Sequence, residues 1–230
     1  MNQRGIALIM VVLFTAFLSA LGIGLTMAVF MDRLANRNVA GSVAMFYAAD
    51  AGVELAARDL ARLADWSPVL SGAQQSDFAD GLAGGVRPVP GGGAVDLTAA
   101  TNMLNCGKTT DCTDLQMNAN SRDRPWGANN PRWRLFAFGP MHHVACLARP
   151  APCYLAVWIA DDTRERDGDP SIDADEQEDG HGIVRVHAEA YGVEGSRRVI
   201  EAELARICAD GDCLPGLRVQ SWQELRDSPP

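Results

Sequence analysis

Between Ile6 and Met31 there is no charged side chain, and no carboxylate occurs anywhere before Asp32. Such a gap makes the start of the chain unlike that of an ordinary globular domain, and it gathers much of the apolar content in one place. Basic residues are scarce as well: 20 Lys and Arg stand against 29 Asp and Glu, for a net charge of −9 and a pI near 4.9. This balance argues against a nucleic-acid partner, because phosphate backbones are gripped by clustered Lys and Arg. There is no nucleophile elbow, phosphate loop, dinucleotide fingerprint or catalytic carboxylate pair. Four scattered histidines, His142, His143, His181 and His187, offer no site, so the chain is not expected to be an enzyme. Cysteine spacings of zinc type are missing too. What remains, 47% hydrophobic and 21% charged over 230 residues, suits a folded chain.

The uncharged run Ile6 to Met31 has 26 residues. As a helix it would reach roughly 39 Å, more than the hydrocarbon core of a bilayer at about 30 Å. It predicts a single membrane span, and it is too long for the apolar core of a cleaved secretory signal. Gly22 and Gly24, with Ser19 and Thr26, lie inside the span, where small residues permit close helix packing in lipid or local melting. From Asp32 to Asp65 the chain has no proline and carries apolar residues at Val39, Val43, Phe46, Ala49, Val53, Ala56, Leu60 and Leu63, at steps of three and four. One helix over 6–65 is therefore expected, half apolar and half amphipathic, ended by Trp66-Ser67-Pro68. Residues 66–230 would form a globular domain. A plain single-pass anchor would satisfy the same run.

The residues before the run sharpen this. Met1-Asn2-Gln3-Arg4-Gly5 leads directly into Ile6-Ala7-Leu8-Ile9, and the helix later carries Phe46-Tyr47-Ala48-Ala49-Asp50-Ala51-Gly52-Val53-Glu54. The first resembles the processing site of type IV prepilins. The second resembles the Ala-Glu-Ala-Gly signature of the PilX family of minor pilins, with Asp50 in place of the glutamate. The resemblance covers residues 4–60. It implies a 1–5 leader removed by prepilin peptidase after Gly5, a mature terminus at Ile6 that is N-methylated, and an α+β, pilin-like fold. It also implies an inner-membrane protein with a periplasmic domain, assembled into a pilus through other minor pilins, the major pilin and the assembly platform. Major pilins place a glutamate at mature position five, where this chain has Met10. Without it an incoming subunit cannot neutralise its neighbour's terminal amine at membrane depth. The family implication is a subunit that primes or caps the filament at its tip. GspK-like pseudopilins of type II secretion share this lack but carry a large helical insertion, of which no periodic sign appears here. A membrane-anchored periplasmic binding or adhesion module is the remaining alternative.

Residues 67–131 are rich in Gly, Pro, Asn and Ala and read as a long irregular connection with short elements. Strands are expected at Trp133–Phe138, Tyr154–Ala160, Ile183–Tyr191 and Arg198–Ile207, with Val193 to Ser196 as a hairpin loop. An antiparallel sheet of about four strands would pack on the amphipathic helix, since neither element buries its stripe alone. Polar Arg185, His187 and Glu189 alternate with the apolar positions of the third strand. Six cysteines fall in close pairs, Cys106 with Cys112, Cys146 with Cys153, and Cys208 with Cys213. Local disulfides in an oxidising compartment fit these spacings, although six cysteines allow 15 connectivities. Trp66, Trp126, Trp133, Trp158 and Trp222 are expected in core or interface.

Asp161 to Gly182 holds ten carboxylates. Asp167, Asp169, Ser171, Asp173, Asp175 and Glu178 fall at relative positions 1, 3, 5, 7, 9 and 12, the ligand spacing of a calcium loop. Against it, Ile172 occupies the sixth position where glycine makes the turn, Pro170 stiffens the fourth, and no flanking helices are expected. Calcium is thus a possible ligand of this loop, and a solvated acidic surface is the competing reading.

Overall fold

A computed structural model describes residues 3–120, 127–141, 152–165, 168–173, 182–209 and 212–225. The chain forms two compact units, Met1–Gly41 and Ser42–Pro230. Helix α1 runs from Gln3 to Leu60, and the described residues of the first unit all belong to it. It ends five residues short of the expected boundary, where Ala61 and Arg62 form a turn. Trp66-Ser67-Pro68 does more than stop it: Pro68 starts a second helical turn, α2 (Ser67–Leu70), because the first helical turn has no use for the missing amide.

The second unit is built on a five-stranded antiparallel sheet in simple sequential order, β3 (Arg134–Met141), β4 (Cys153–Asp161), β5 (Ile183–Tyr191), β6 (Arg197–Ala209) and β7 (Asp212–Leu225). Four of these match the expected strands. The fifth is a correction: the sheet has five strands where about four are expected, with Asp212–Leu225 added as a long edge strand. Before the sheet, β1 (Val86–Val89) and β2 (Gly93–Asp96) make a hairpin, followed by α3 (Leu97–Cys106) and α4 (Asp114–Ala119). These are the short elements of the segment expected to be a long irregular connection. Their caps explain them: Asp96 accepts the amides of Thr98 and Ala99, and Thr113 with Gln116 forms a reciprocal capping box.

Each sheet face has its own core. On one face, Ala44, Met45, Ala48, Ala49, Val53, Ala56 and Leu60 of α1 pack with Leu155, Val157, Ile159, Val184, Val186, Ala188, Ile200 and Leu204. Small side chains dominate the helix side. Ala49, Val53, Ala56 and Leu60 lie on the expected stripe, which shifts only before them: Val39 and Val43 are 62% and 40% exposed while Ala44, Met45 and Ala48 are buried. Trp66 closes this layer, fully buried, with its Nε1 donating to the Leu60 carbonyl at 3.0 Å and the Arg206 guanidinium over its ring at 4.0 Å. On the opposite face, Val95 and Leu97 cover Trp133, Leu135, Phe138, Tyr154, Ala156 and Trp158. The outer edge of β3 is covered by residues 76–80: Phe138 N donates to the Phe78 carbonyl at 2.8 Å, and Asp80 N donates to the Phe138 carbonyl at 3.0 Å.

Candidate functional site

The first candidate is the apolar half of α1. It is long and apolar enough to cross a membrane, a property that a signal sequence or a buried core helix can share. Its large side chains, Ile6 to Met31, are 46–69% exposed. Its few polar groups are satisfied within the helix: Thr15 Oγ1 donates to the Val12 carbonyl at 3.0 Å, Ser19 Oγ to Thr15 at 2.8 Å and Thr26 Oγ1 to Ile23 at 2.8 Å. A helix meeting lipid needs this, because water is not there to satisfy such groups. Gly22, Gly24 and Gly41 have nothing within 4 Å of where a β-carbon would sit.

The second candidate is the Ser42–Leu60 part of α1 against the sheet. Gly52 lies where a β-carbon would stand 2.8 Å from Leu155 Cδ1, 3.1 Å from Val157 Cγ2 and 3.2 Å from Ala188 Cβ. The glycine of the quoted signature thus serves close approach of helix and sheet. Its neighbour Asp50 faces outward and accepts from Trp222 Nε1 at 3.1 Å. Trp222 also meets Phe46 edge-on at 5.8 Å, and Phe46 meets Tyr47 at 5.4 Å, making an aromatic ridge at the helix surface with Trp222 43% exposed.

The third candidate was invisible in the sequence. His187, expected on a polar strand face, is 1% exposed. Its Nδ1 lies 2.9 Å from Glu201 Oε1 and its Nε2 2.8 Å from Glu189 Oε1, with both carboxylates buried. Arg197 clamps Glu189 through Nε at 3.0 Å and Nη2 at 2.7 Å, and the Tyr191 hydroxyl donates to Glu189. Burial opposes a charge on His187, yet the hydrogen bonds to Glu189 and Glu201 outweigh it and raise its pKa. For Glu189 burial likewise opposes ionisation, and His187 with Arg197 overrides it, bringing the carboxyl down to about 2. The reason strand alternation failed to reveal this is that the covering layer comes from α3 and the β1–β2 hairpin, remote in sequence.

The acidic loop is partly interior. Asp161, Asp162 and Glu165 are each at most 2% exposed. Burial, reinforced by the Glu165 carboxylate, pushes Asp161 up to about 9, and burial raises Asp162 as well. Asp162 Oδ1 accepts from Arg164 N at 2.5 Å, while its Oδ2 is buried without a hydrogen-bond partner among the described residues. Of the candidate calcium ligands, Asp167, Asp175 and Glu178 lie outside the described residues. Asp169 Oδ1 accepts from Ser171 N at 3.0 Å and Oγ at 2.5 Å. Asp173 ties the loop to the fold, its Oδ1 accepting from Gly182 N at 2.8 Å and its amide donating to Ser67 Oγ at 3.3 Å. Among the described residues no group of three or more His, Cys, Asp or Glu is disposed to hold a metal ion.

Cys106 and Cys112 form a disulfide that joins the end of α3 to the approach of α4. Cys153 is a free thiol, 1% exposed on β4, with burial pushing its pKa up to about 11. Cys146 lies outside the described residues. Cys208 and Cys213 sit opposite each other in the β6–β7 register, and their side chains lie outside what the structure describes. The processing residues Gly5 and Ile6 both fall within α1. Of the tryptophans, Trp66, Trp133 and Trp158 are buried, Trp222 is partly exposed, and Trp126 lies outside the described residues. Comparison with family models, with curated proteins and with solved structures gives no match.

Proposed function

We propose that this chain is a minor subunit of a type IV filament, of the PilX kind, cut after Gly5 by prepilin peptidase and placed at or near the tip, where it primes or caps assembly. The observation that carries this reading is α1 itself: one helix from Gln3 to Leu60, apolar and exposed in its first half, with its second half packed through Ala44, Ala48, Gly52 and Ala56 on an antiparallel sheet. A membrane anchor alone would not require the same unbroken helix to serve as a core element of the folded domain. In this role the protein is not a catalyst. It holds the apolar helix in the bilayer, then exchanges lipid for neighbouring helices, against which Gly22 and Gly24 allow close approach.

The uncharged stretch up to Asp32 supports a terminal place in the filament. A subunit that cannot neutralise its neighbour's amine is poorly suited to repeat along a shaft. Its partners on this reading are other minor pilins, the major pilin, the prepilin peptidase and the assembly platform.

N-terminal sequencing and intact mass of the membrane-expressed chain, with and without a prepilin peptidase, test the proposal. Expected is a new N-methylated terminus at Ile6 only when the peptidase is present. Retention of Met1 in its presence would return the chain to a simple anchored module. Long filaments built from this chain alone would rule out the capping role.

A further inference from the structure

The buried imidazole of His187 presents a proton-counting problem. A neutral ring carries one N–H, yet both ring nitrogens lie within 2.9 Å of carboxylate oxygens, Glu201 on one side and Glu189 on the other. One of the two contacts would then set lone pair against lone pair, in a place that water cannot reach. Only an imidazolium makes both contacts favourable while both carboxylates stay ionised.

The ring also supports a layer. Trp133 and Trp158 meet it edge-on, with centroids at 5.6 and 5.8 Å. Those same two tryptophans are the points at which α3 is fastened to the sheet. Trp158 Nε1 donates to Thr101 Oγ1 at 2.8 Å, Trp133 N donates to Asn105 Oδ1 at 2.8 Å, and Asn105 Nδ2 returns a bond to the Trp133 carbonyl at 3.0 Å.

We propose that His187 is a proton-operated latch: in its charged form it holds α3 and the β1–β2 hairpin on the outer face of the sheet, and loss of the proton releases that layer while the α1-facing core stays folded. The charged and titratable groups around it are consistent with this. Its own strand supplies Glu189, Tyr191 and Arg185, the last 3.6 Å from Glu201 and 5.4 Å from the Trp133 ring. From β6 come Glu201 and Arg197, and from β7 the Gln223 amide, 3.5 Å from Glu201. Thr101 and Asn105, the α3 groups that fasten the tryptophans, are uncharged, so α3 brings no cation to replace the imidazolium. The direction follows: the closed layer binds the proton, so closure is favoured at low pH and lost as pH rises above the ordinary histidine range.

Ring nitrogen shifts of the full chain in detergent micelles, assigned with His187→Gln, report the protonation state, and hydrogen exchange of the α3 amides reports the layer. In the wild type both ring nitrogens are expected to be protonated at pH 6. Through the titration of His187, protection of Leu97–Cys106 corrected for intrinsic exchange should fall by up to about tenfold per pH unit, while Ala48–Ala56 of α1 stays protected. Glu201→Gln supplies the decisive comparison, because a glutamine amide can donate to a neutral ring: the layer should stay closed and lose its pH dependence. A neutral ring at pH 6, an α3 indifferent to the titration, or the same pH step in Glu201→Gln would each overturn the latch.

Discussion

Gly52 and Leu155 stand so close that a β-carbon on the glycine would lie 2.8 Å from Leu155 Cδ1. Helix and sheet are separated there by little more than hydrogens. Elsewhere along the seam the helix offers mostly small residues, Ala44, Ala48, Ala49 and Ala56 beside the larger Met45, Val53 and Leu60, over about three turns. The sheet supplies the bulk, through Leu155, Val157 and Ile200, and an amphipathic helix with large residues on this face would be held farther off.

Replacing Gly52 by alanine sets two effects against each other. Helix propensity gains about 1 kcal/mol, and overpacking costs about 1–3 kcal/mol. Leu155 Cδ1 can rotate away, but Ala188 Cβ at 3.2 Å has no rotamer to adopt. Gly52→Ala is therefore expected to lose about 1 kcal/mol, lowering Tm by roughly 2–4 °C. Gly41→Ala, with open space around its new methyl, should gain up to about 1 kcal/mol by the same propensity. Melts of the two variants in one detergent check the pair, and equal shifts of one sign would contradict the close-packing argument.

Trp66→Phe keeps an aromatic ring in the buried pocket and removes one donor. The Leu60 carbonyl at the end of α1 then loses its Trp66 Nε1 partner, and the ring beneath Arg206 becomes a weaker cation-binding face. A loss of about 1–2 kcal/mol is expected. Amide exchange should quicken first around Ala57 to Leu63 and Ser67 to Leu70, and an unchanged melt would show that the cap contributes nothing.

How much of this was legible in the sequence depends on whether the signal was local. The absence of proline from Asp32 to Asp65 and the period-two strands at Ile183–Tyr191 and Arg198–Ile207 gave the helix and most of the sheet. Strand β7 was missed because Pro215, Gly216 and a polar second half break the pattern, which an edge strand tolerates. The caps at Asp96 and Thr113-x-x-Gln116 are readable signals that place α3 and α4 within a stretch whose short elements have no sustained periodicity. His187 was unreadable in principle: its burial is decided by a layer folded over it from eighty residues away, and an alternating strand looks the same with or without such a cover.

Calcium titrated calorimetrically into the chain should give no binding heat. Asp169 closes on Ser171, Asp173 Oδ1 accepts from Gly182 N, and Ile172 occupies the position where a calcium loop needs its glycine turn. Heat that disappears in the Asp167→Ala, Asp169→Ala double variant would reverse this and make the loop a cation site.

Asp161 gives the clearest pH prediction. Its carboxyl is pushed up to about 9 by burial first and by Glu165 second, so the folded state holds a proton that the unfolded chain, near 3.8, releases. The sign is thus opposite to that of Glu189: stability is lost as pH rises from about 4 towards 9, because folding must retain a proton that water would take. Asp161→Asn removes the requirement. Its amide oxygen can still accept from Asp162 N, as Oδ1 does at 2.9 Å, and its nitrogen can donate to Glu165. The variant should match the wild type near pH 4 and exceed it at pH 8 by on the order of 2 kcal/mol. Denaturant titrations at the two pH values test this, and a variant that is less stable at pH 8 would mean that Asp161 is ionised and paired in the folded chain.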